Sequence, residues 1–367
     1  MIYLDHNATT CSDERVVEAM LPYLQGMYGN PSSLYKLGRI ARSAIDTARE
    51  QISALIDAPA AGIVFTSGGT EANAQAVANA RGVGLAISTI EHPSIFENAE
   101  YHQQCFRQLQ TLSVDVTGSV PLASLHRANW HAGDLASVML ANNETGVIQD
   151  VAVIAERLAE QGVNLHTDAV QALGKIPFSF RKLGVKLMSL SSHKIYGPKG
   201  CGALVVAEDF VLKPWLRGGD QEHGSRAGTE NVAAIVGFGK AAELVMTEMG
   251  LREQRMLALR TRLERALRTI PGLVIFAEHA KRLPNTVQFG INGINGEMLL
   301  MQLDQRNIAV SSGSACSASS GEISPVLTAM GVEASLARSA IRVSLGKDNN
   351  ETEVDQFVDI LKASIAN

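Results

Sequence analysis

Four short stretches place reactive side chains directly after apolar runs. In "LMSLSSHKIYGPKG", Lys194 follows such a run and a Ser-Ser-His turn. A lysine held there, partly out of water, loses its proton readily and can form a Schiff base, whereas an isolated loop lysine stays charged and exposed. "VNLHTDAVQA" ends an apolar run at Asp168, with Gln171 three residues on. The aspartate either caps a helix or pairs with a pyridinium nitrogen, keeping a ring protonated as an electron sink. Gln171 either donates to a phenolate oxygen of that ring or is a surface amide. "FTSGGTEAN" sets Gly68, Gly69 and Thr70 at a strand-to-helix turn, where backbone N–H groups and a helix N-terminus suit a phosphate. His92, in "STIEHPS", follows another strand, and an imidazole there could stack on a flat cofactor and shuttle protons. A lysine, an aspartate, a phosphate cradle and a stacking histidine together point to a pyridoxal 5'-phosphate site.

A second kind of chemistry lies in "SSGSACSASSG", residues 311–321, where Cys316 sits among serine, glycine and alanine. Such a run buries little apolar area, so the thiol is expected to be accessible and able to travel. The other three cysteines, Cys11, Cys105 and Cys201, lie far apart with no CxxC pair, and no HExxH spacing occurs. Neither a metal site nor a disulfide framework is expected, and Cys201 is expected to be buried beside a strand.

The elements that must position these groups follow from the order of apolar runs. Strands expected in "GIVFTS", "LASVMLAN", "VNLHTD", "LMSLSS" and "CGALVV" alternate with helical patterns such as residues 151–161, and a helix is expected to start near Gly69 or Thr70. Alternation of this kind implies an α/β fold with a mostly parallel sheet flanked by helices, whose functional residues gather at the C-terminal strand ends. From about residue 251 the pattern becomes charge-rich and mixed, giving a smaller α+β domain. The expected division is a large domain over 15–250 and a small domain made of 1–14 and 251–367. The 367 residues, 46% apolar and 19% charged, suit two such units, and a net charge of -5 gives no electrostatic case for nucleic acid or an anionic membrane.

Read together, "YLDHNATT", "YGNPSS", "FTSGGTEAN", "EHPS", "NNETGVIQD", "TDAVQALGK", "SSHKIYGPKG", "RAGTEN", "SSGSAC" and "IRVSLG" resemble, nearly end to end, the cysteine desulfurases of the NifS/IscS type. These belong to the class V aminotransferase group of fold-type I pyridoxal phosphate enzymes. The resemblance implies that Lys194 is the Schiff-base lysine, that His92 stacks on the ring, and that Asp168 pairs with the pyridine nitrogen. It implies that Gln171 and Asn143 contact the ring and its substituents, and that Gly69, Thr70, Ser191 and His193 hold the phosphate. Thr229 would reach the phosphate of a neighbouring subunit, which implies a homodimer. Arg342 would bind the carboxylate of L-cysteine, with Asn30 close to it. Cys316 would be the nucleophile that takes the substrate sulfur as a persulfide, leaving L-alanine, and carries it to an acceptor protein such as an iron-sulfur scaffold or a thiolation carrier.

Some residues depart from that pattern: Asp220, His223 and Ser225 near the expected subunit contact, and Tyr35 where a histidine is common. The chain ends soon after its last helical pattern, which weakens the expectation of docking to a dedicated scaffold. A selenocysteine lyase on the same scaffold and a non-catalytic sulfur-relay protein are the alternative readings. The N-terminal stretch has no signal-peptide pattern and no apolar run approaches the roughly 20 residues of a membrane span, so a cytoplasmic location is expected.

Overall fold

The computed structural model describes residues 1–312 and 323–365. Its largest layer is a seven-stranded sheet built from β2 (Ile63–Thr66), β3 (Gly84–Ser88), β4 (Gln108–Leu112), β5 (Leu135–Ser137), β6 (Asn164–Asp168), β7 (Leu187–Ser191) and β8 (Gly202–Val206), in the spatial order β2-β8-β7-β6-β5-β3-β4. Only β8 runs antiparallel to its neighbours. β3, β7 and β8 are buried along their whole length, because helices cover both faces of the sheet, and such strands read as continuous apolar runs.

β5 is shorter than the apolar run "LASVMLAN". The extended chain continues, with the N–H of Val138 donating to His166 and that of Leu140 to Asp168. On the opposite side β3 has already ended, and the Met139 N–H donates to the buried Glu91 carboxylate instead of a strand (2.7 Å). A side chain thus completes the ladder where the neighbouring strand stops.

A three-stranded antiparallel sheet, β12 (Ile341–Ser344), β10 (Thr286–Ile291) and β9 (Leu273–Ile275), and a parallel pair, β1 (Ile2–Tyr3) with β11 (Ile308–Ala309), form the second unit. A helix of 36 residues, Val232–Leu267, joins the two. Its Ile235, Phe238, Ala242 and Val245 pack into the core around the large sheet. Its Leu259, Leu263 and Leu267 pack into a second core with Leu4, Phe289, Ile341 and Phe357. The residue-250 boundary therefore falls inside a continuous helix. The N-terminal segment belongs to the second core through Leu4 and then crosses to the large sheet: Thr10 N–H donates to His193 O and Asp13 N–H to Tyr196 O.

His166, on the central strand β6, is fully enclosed and hydrogen-bonded on its two ring nitrogens to Ser137 Oγ and Ser189 Oγ, both at 2.9 Å. It ties three adjacent strands together, and burial pushes its pKa down to about 3. Between that value and the unfolded value near 6.5, the unfolded chain binds the extra proton, so stability falls on acidification. Urea unfolding should show the native chain losing up to about 1.4 kcal/mol per pH unit below pH 6.5 relative to His166→Gln. Parallel pH dependence in the two proteins would remove His166 as the cause.

Candidate active site

The C-terminal ends of β2, β3, β6 and β7 open on one edge of the large sheet. Thr66 and Ser191 both lie beside Gly202, so the turns after β2 and β7 face each other. A Cβ on Gly202 would meet Gly68 carbonyl carbon and Leu190 O at 2.6 Å, so only glycine permits that approach. After β2 the chain turns at Gly68 into the helix Gly69–Ala78, whose N-terminus carries no side-chain cap. A Cβ on Gly69 would press on Val170 Cγ2 at 3.0 Å and approach Ser191 Cβ at 3.6 Å. Backbone N–H groups and Ser191 thus border one small space.

Lys194 lies in the turn after β7. Its Nζ donates to the carbonyls of Asn7 and of Ala8, the latter at 2.8 Å. Two residues on, Tyr196 is left-handed (φ 69°), which turns the chain sharply away. That conformation is clamped: Tyr196 N–H donates to Thr10 Oγ1 at 2.9 Å, and its carbonyl accepts from Asp13. His193 Nδ1 is hydrogen-bonded to Thr9 Oγ1 at 3.0 Å, and burial, reinforced by Lys194, pushes its pKa down to about 4.

Asp168 is buried at the end of β6 and acts in two ways. Oδ1 accepts from Val170 N–H (2.9 Å), as a capping aspartate would, and Oδ2 accepts from Asn73 Nδ2 (2.7 Å). Asn73 also donates to Ser94 Oγ (2.9 Å), and Ser94 Oγ is 2.8 Å from His92 Nδ1. His92 Nδ1 further accepts from Ser94 N–H at 3.1 Å. An accepting Nδ1 puts the ring proton on Nε2. Burial lowers the His92 pKa, opposed by Asp168 and reinforced by Lys194.

Gln171 Nε2 donates to Asn7 O at 3.0 Å, so it is a buried amide at the site and not a surface one. Asn142 and Asn143 divide their tasks. Asn142 Oδ1 accepts from the N–H groups of Glu144 and Thr145 and shapes the turn. Asn143 O accepts from Asn7 Nδ2 and from Arg342 Nη1, both at 3.1 Å. Arg342, on β12 of the second unit, is buried and ion-paired to Asp5 at 2.6 Å.

Thr70 is exposed on the first turn of its helix. Thr229 is also exposed, on a segment pinned by Glu222–Arg49, Arg226–Glu71 and Glu230–Arg42 ion pairs. Asn30 is exposed too, and its Oδ1 accepts from Ser32 N–H within its own turn. Cys316 lies outside the described residues. The chain on either side is fixed at the site: Ser311 exchanges backbone hydrogen bonds with Arg342, and Ser324 Oγ donates to Glu144 at 2.6 Å. Cys201 is buried, while Cys11 and Cys105 are exposed. No cluster of metal-ligand type occurs among the described residues, and no helix there is long and apolar enough to cross a membrane.

A family model described as aminotransferase class-V matches residues 2–357. The chain belongs to that family. Among aminotransferase class-V relatives, a cysteine desulfurase IscS from Dictyoglomus turgidum is 40% identical, covering 99% of this chain and 94% of its own. A cysteine desulfurase IscS from Methanosarcina thermophila is 40% identical over 98% of this chain and 91% of its own. A NifS-like protein from Rickettsia africae has the same fold, with a TM-score of 0.92 and 35% identity over 100% of both chains. A structure described as SspA in complex with cysteine has a TM-score of 0.83 and 29% identity, covering 95% of this chain and 99% of that one.

Aminotransferase class-V enzymes of this type work with pyridoxal phosphate, and the residues present fit it. The uncapped helix N-terminus beside Ser191 and His193 suits a phosphate. Asp168 is a buried carboxylate with amide donors and, among the described residues, no salt bridge. A buried carboxylate without a counter-ion is costly, and a protonated ring nitrogen would supply one. Asn73, Ser94, Asn7, Lys175 and Glu91 are site residues that side-chain type alone did not mark, although each lies in or beside a stretch that drew attention. Burial pushes the Glu91 pKa up to about 8.

Replacing Asn73 with alanine removes the donor to the Asp168 carboxylate and breaks the link to Ser94. We expect a stability loss of about 1–3 kcal/mol and roughly tenfold weaker retention of the cofactor, read by urea unfolding and by dialysis followed through the visible band. Full retention would show that Asn73 does not support Asp168.

Proposed function

We propose that this chain is a pyridoxal phosphate-dependent cysteine desulfurase, converting L-cysteine to L-alanine and leaving the sulfur on Cys316 as a persulfide. The observation that carries the reading is the meeting of Lys194 Nζ, Asn143 O and, through it, Arg342 on the single residue Asn7. An amine suited to proton transfer and a guanidinium suited to a carboxylate are thereby tied into one hydrogen-bond network.

Gly69, Thr70, Ser191 and His193 would hold the cofactor phosphate, Asp168 would pair with the ring nitrogen, His92 would stack on the ring, and Gln171 and Asn143 would contact its substituents. When bound, the cofactor supplies an electron sink for charge left on the substrate Cα. Lys194 Nζ takes the Cα proton. Arg342 holds the substrate carboxylate, for which Asp5 must yield part of the guanidinium, and Asn30 lies nearby once the site is complete. Cys316 attacks the substrate sulfur: the C–S bond breaks, an S–S bond forms, and protons returned to carbon complete alanine. The thiolate is the competent form of Cys316. Anchors at Ser311 and Ser324, one on the Arg342 strand and one beside Asn143, support delivery of the intervening segment to this site.

The active form is a homodimer in the cytoplasm, with Thr229 completing the phosphate site of the partner. Supporting this, Val17, Leu21 and Leu24 on the helix Glu14–Gln25, with Met27, Tyr28, Leu34 and Tyr35 after it, expose apolar area beyond the needs of a monomer. The persulfide then passes to an acceptor protein, an iron-sulfur scaffold or a thiolation carrier. The chain is divided into a large domain over 15–250 and a small domain of 1–14 and 251–367.

The deciding experiment measures alanine and sulfide from L-cysteine with reductant present. The native protein should release both in equal amounts. Cys316→Ala should lower release by about a hundredfold or more while keeping the visible band, and Lys194→Ala should lose the borohydride-fixed adduct on its peptide. An adduct surviving in Lys194→Ala, or full turnover in Cys316→Ala, would overturn the assignment. Light scattering should give twice the chain mass, and Leu21→Glu with Leu24→Glu should yield monomers that retain cofactor poorly. Unchanged mass in that variant would place the interface elsewhere.

A further inference from the structure

Lys175 lies at the end of "TDAVQALGK" and is 5% exposed. Its Nζ donates to Asn7 Oδ1 and to Gln171 Oε1, both at 2.6 Å. No carboxylate forms a salt bridge with it among the described residues. The charged groups acting on it are cations, Lys194 and Arg342, and beside Lys175 and Lys194 lies a cavity of about 10 Å³, room for one water, also bordered by His6, Tyr196, Arg252 and Lys347. Burial first, then Lys194 and Arg342, holds the Lys175 pKa well below its ordinary value. A costly amine is thus buried against two amide oxygens with no carboxylate salt bridge among the described residues.

Its two partners show what it does. A glutamine amide has two ends of nearly equal shape, and only its partners decide which way it points. Lys175 Nζ donates to Gln171 Oε1, so the carbonyl end of Gln171 faces the amine. Nε2 is then turned toward Asn7 O, an acceptor that Lys194 Nζ also uses. The same amine fixes Asn7: with Oδ1 taken by Lys175 and by Asn285 Nδ2, the Asn7 Nδ2 is directed to Asn143 O and Thr286 Oγ1.

We propose that Lys175 is a positioning residue: its buried amine sets the amide of Gln171 so that the N–H end, not the carbonyl, is presented to the cofactor ring oxygen and to Asn7 O, the acceptor shared with Lys194. The proposal rests on the cofactor reading above, in which Gln171 contacts a ring substituent. A donor at the ring oxygen stabilises its anionic form, so the bound cofactor's visible band loses its proton at a lower pH than it would without that donor. Without Lys175 the amide is free to turn its carbonyl inward, and the midpoint moves up.

Removing a nearby amine also alters the local charge, so a single variant cannot separate the two causes. A double-mutant cycle can. The pH midpoint of the visible band would be measured in the native holoprotein, Lys175→Met, Gln171→Met and the double variant. Loss of one donor to a charged oxygen corresponds to a rise of about one pH unit. If Lys175 acts through Gln171, the double variant rises no further than Gln171→Met alone. Additive shifts would show that Lys175 acts by its charge, and an unmoved midpoint in Lys175→Met would show that it does not orient the amide; either overturns the proposal. Should Lys175→Met not accumulate, the cycle is read with Lys175→Gln on the same criteria. A native protein with no visible band after addition of pyridoxal phosphate would overturn the cofactor reading itself, which distinguishes that failure from this one.

Discussion

Asn7 engages every polar atom it has. Its N–H donates to Ser344 Oγ, its carbonyl accepts from Gln171 and Lys194, its Oδ1 from Lys175 and Asn285, and its Nδ2 donates to Asn143 O and Thr286 Oγ1. One residue thereby joins the Lys194 turn, the segment after β6, the Asn143 turn and the second core. Buried polar groups tolerate no vacancy, since each lost partner leaves a group out of water at a cost of about 1–3 kcal/mol. The N-terminal segment can cross between the two units only in a register that satisfies all of these groups at once. That requirement sets the relation of Arg342 to Lys194 more sharply than apolar packing, which tolerates small slips.

Charge in the site obeys the same constraint. Lys194, Lys175, Arg342 and Asp168 all lie where water is scarce. The cations are met by carbonyl and amide oxygens, and at Arg342 by Asp5 as well. Asp168 is met by amide nitrogens alone among the described residues. Around Asp168 neutral donors hold the charge in place without cancelling it, so its field stays available to a bound group, whereas Asp5 offsets Arg342. His92 and His193, both depressed mainly by burial and further by Lys194, stay neutral beside these charges. A neutral ring can lie flat against an aromatic cofactor without adding a repulsive charge.

The sequence showed the sheet and its strand ends clearly, because fully buried parallel strands are apolar runs that stop abruptly. Lys194, Asp168, Gln171 and His92 were legible for the same reason: polar residues immediately after such runs are conspicuous. What side-chain type could not show was the second rank. Asn7, Asn73 and Ser94 are common polar residues whose importance comes only from what lies opposite them, 95 residues away for Asn73 and Asp168. Lys175 was hidden because a lysine reads as surface by default. The helix Val232–Leu267 obscured the division of the chain, since its periodicity continues unbroken while the core it faces changes.

The two cores have different parts in the chemistry. The large sheet carries the groups proposed to hold a flat, phosphate-bearing molecule, grouped at the ends of β2, β3, β6 and β7 and therefore fixed relative to one another. The second unit supplies Arg342 and the strand that pairs with Ser311. A site divided in this way separates holding the cofactor from selecting the substrate. The two units are joined by the helix Val232–Leu267, by Asn7 and Asn143, and by Ser324 and Gln288 on Glu144, so several independent contacts fix the geometry between carboxylate and proton-transfer groups. The groups proposed for the cofactor and the guanidinium proposed for the substrate carboxylate thus stand on different sheets, and a change to one need not rebuild the other.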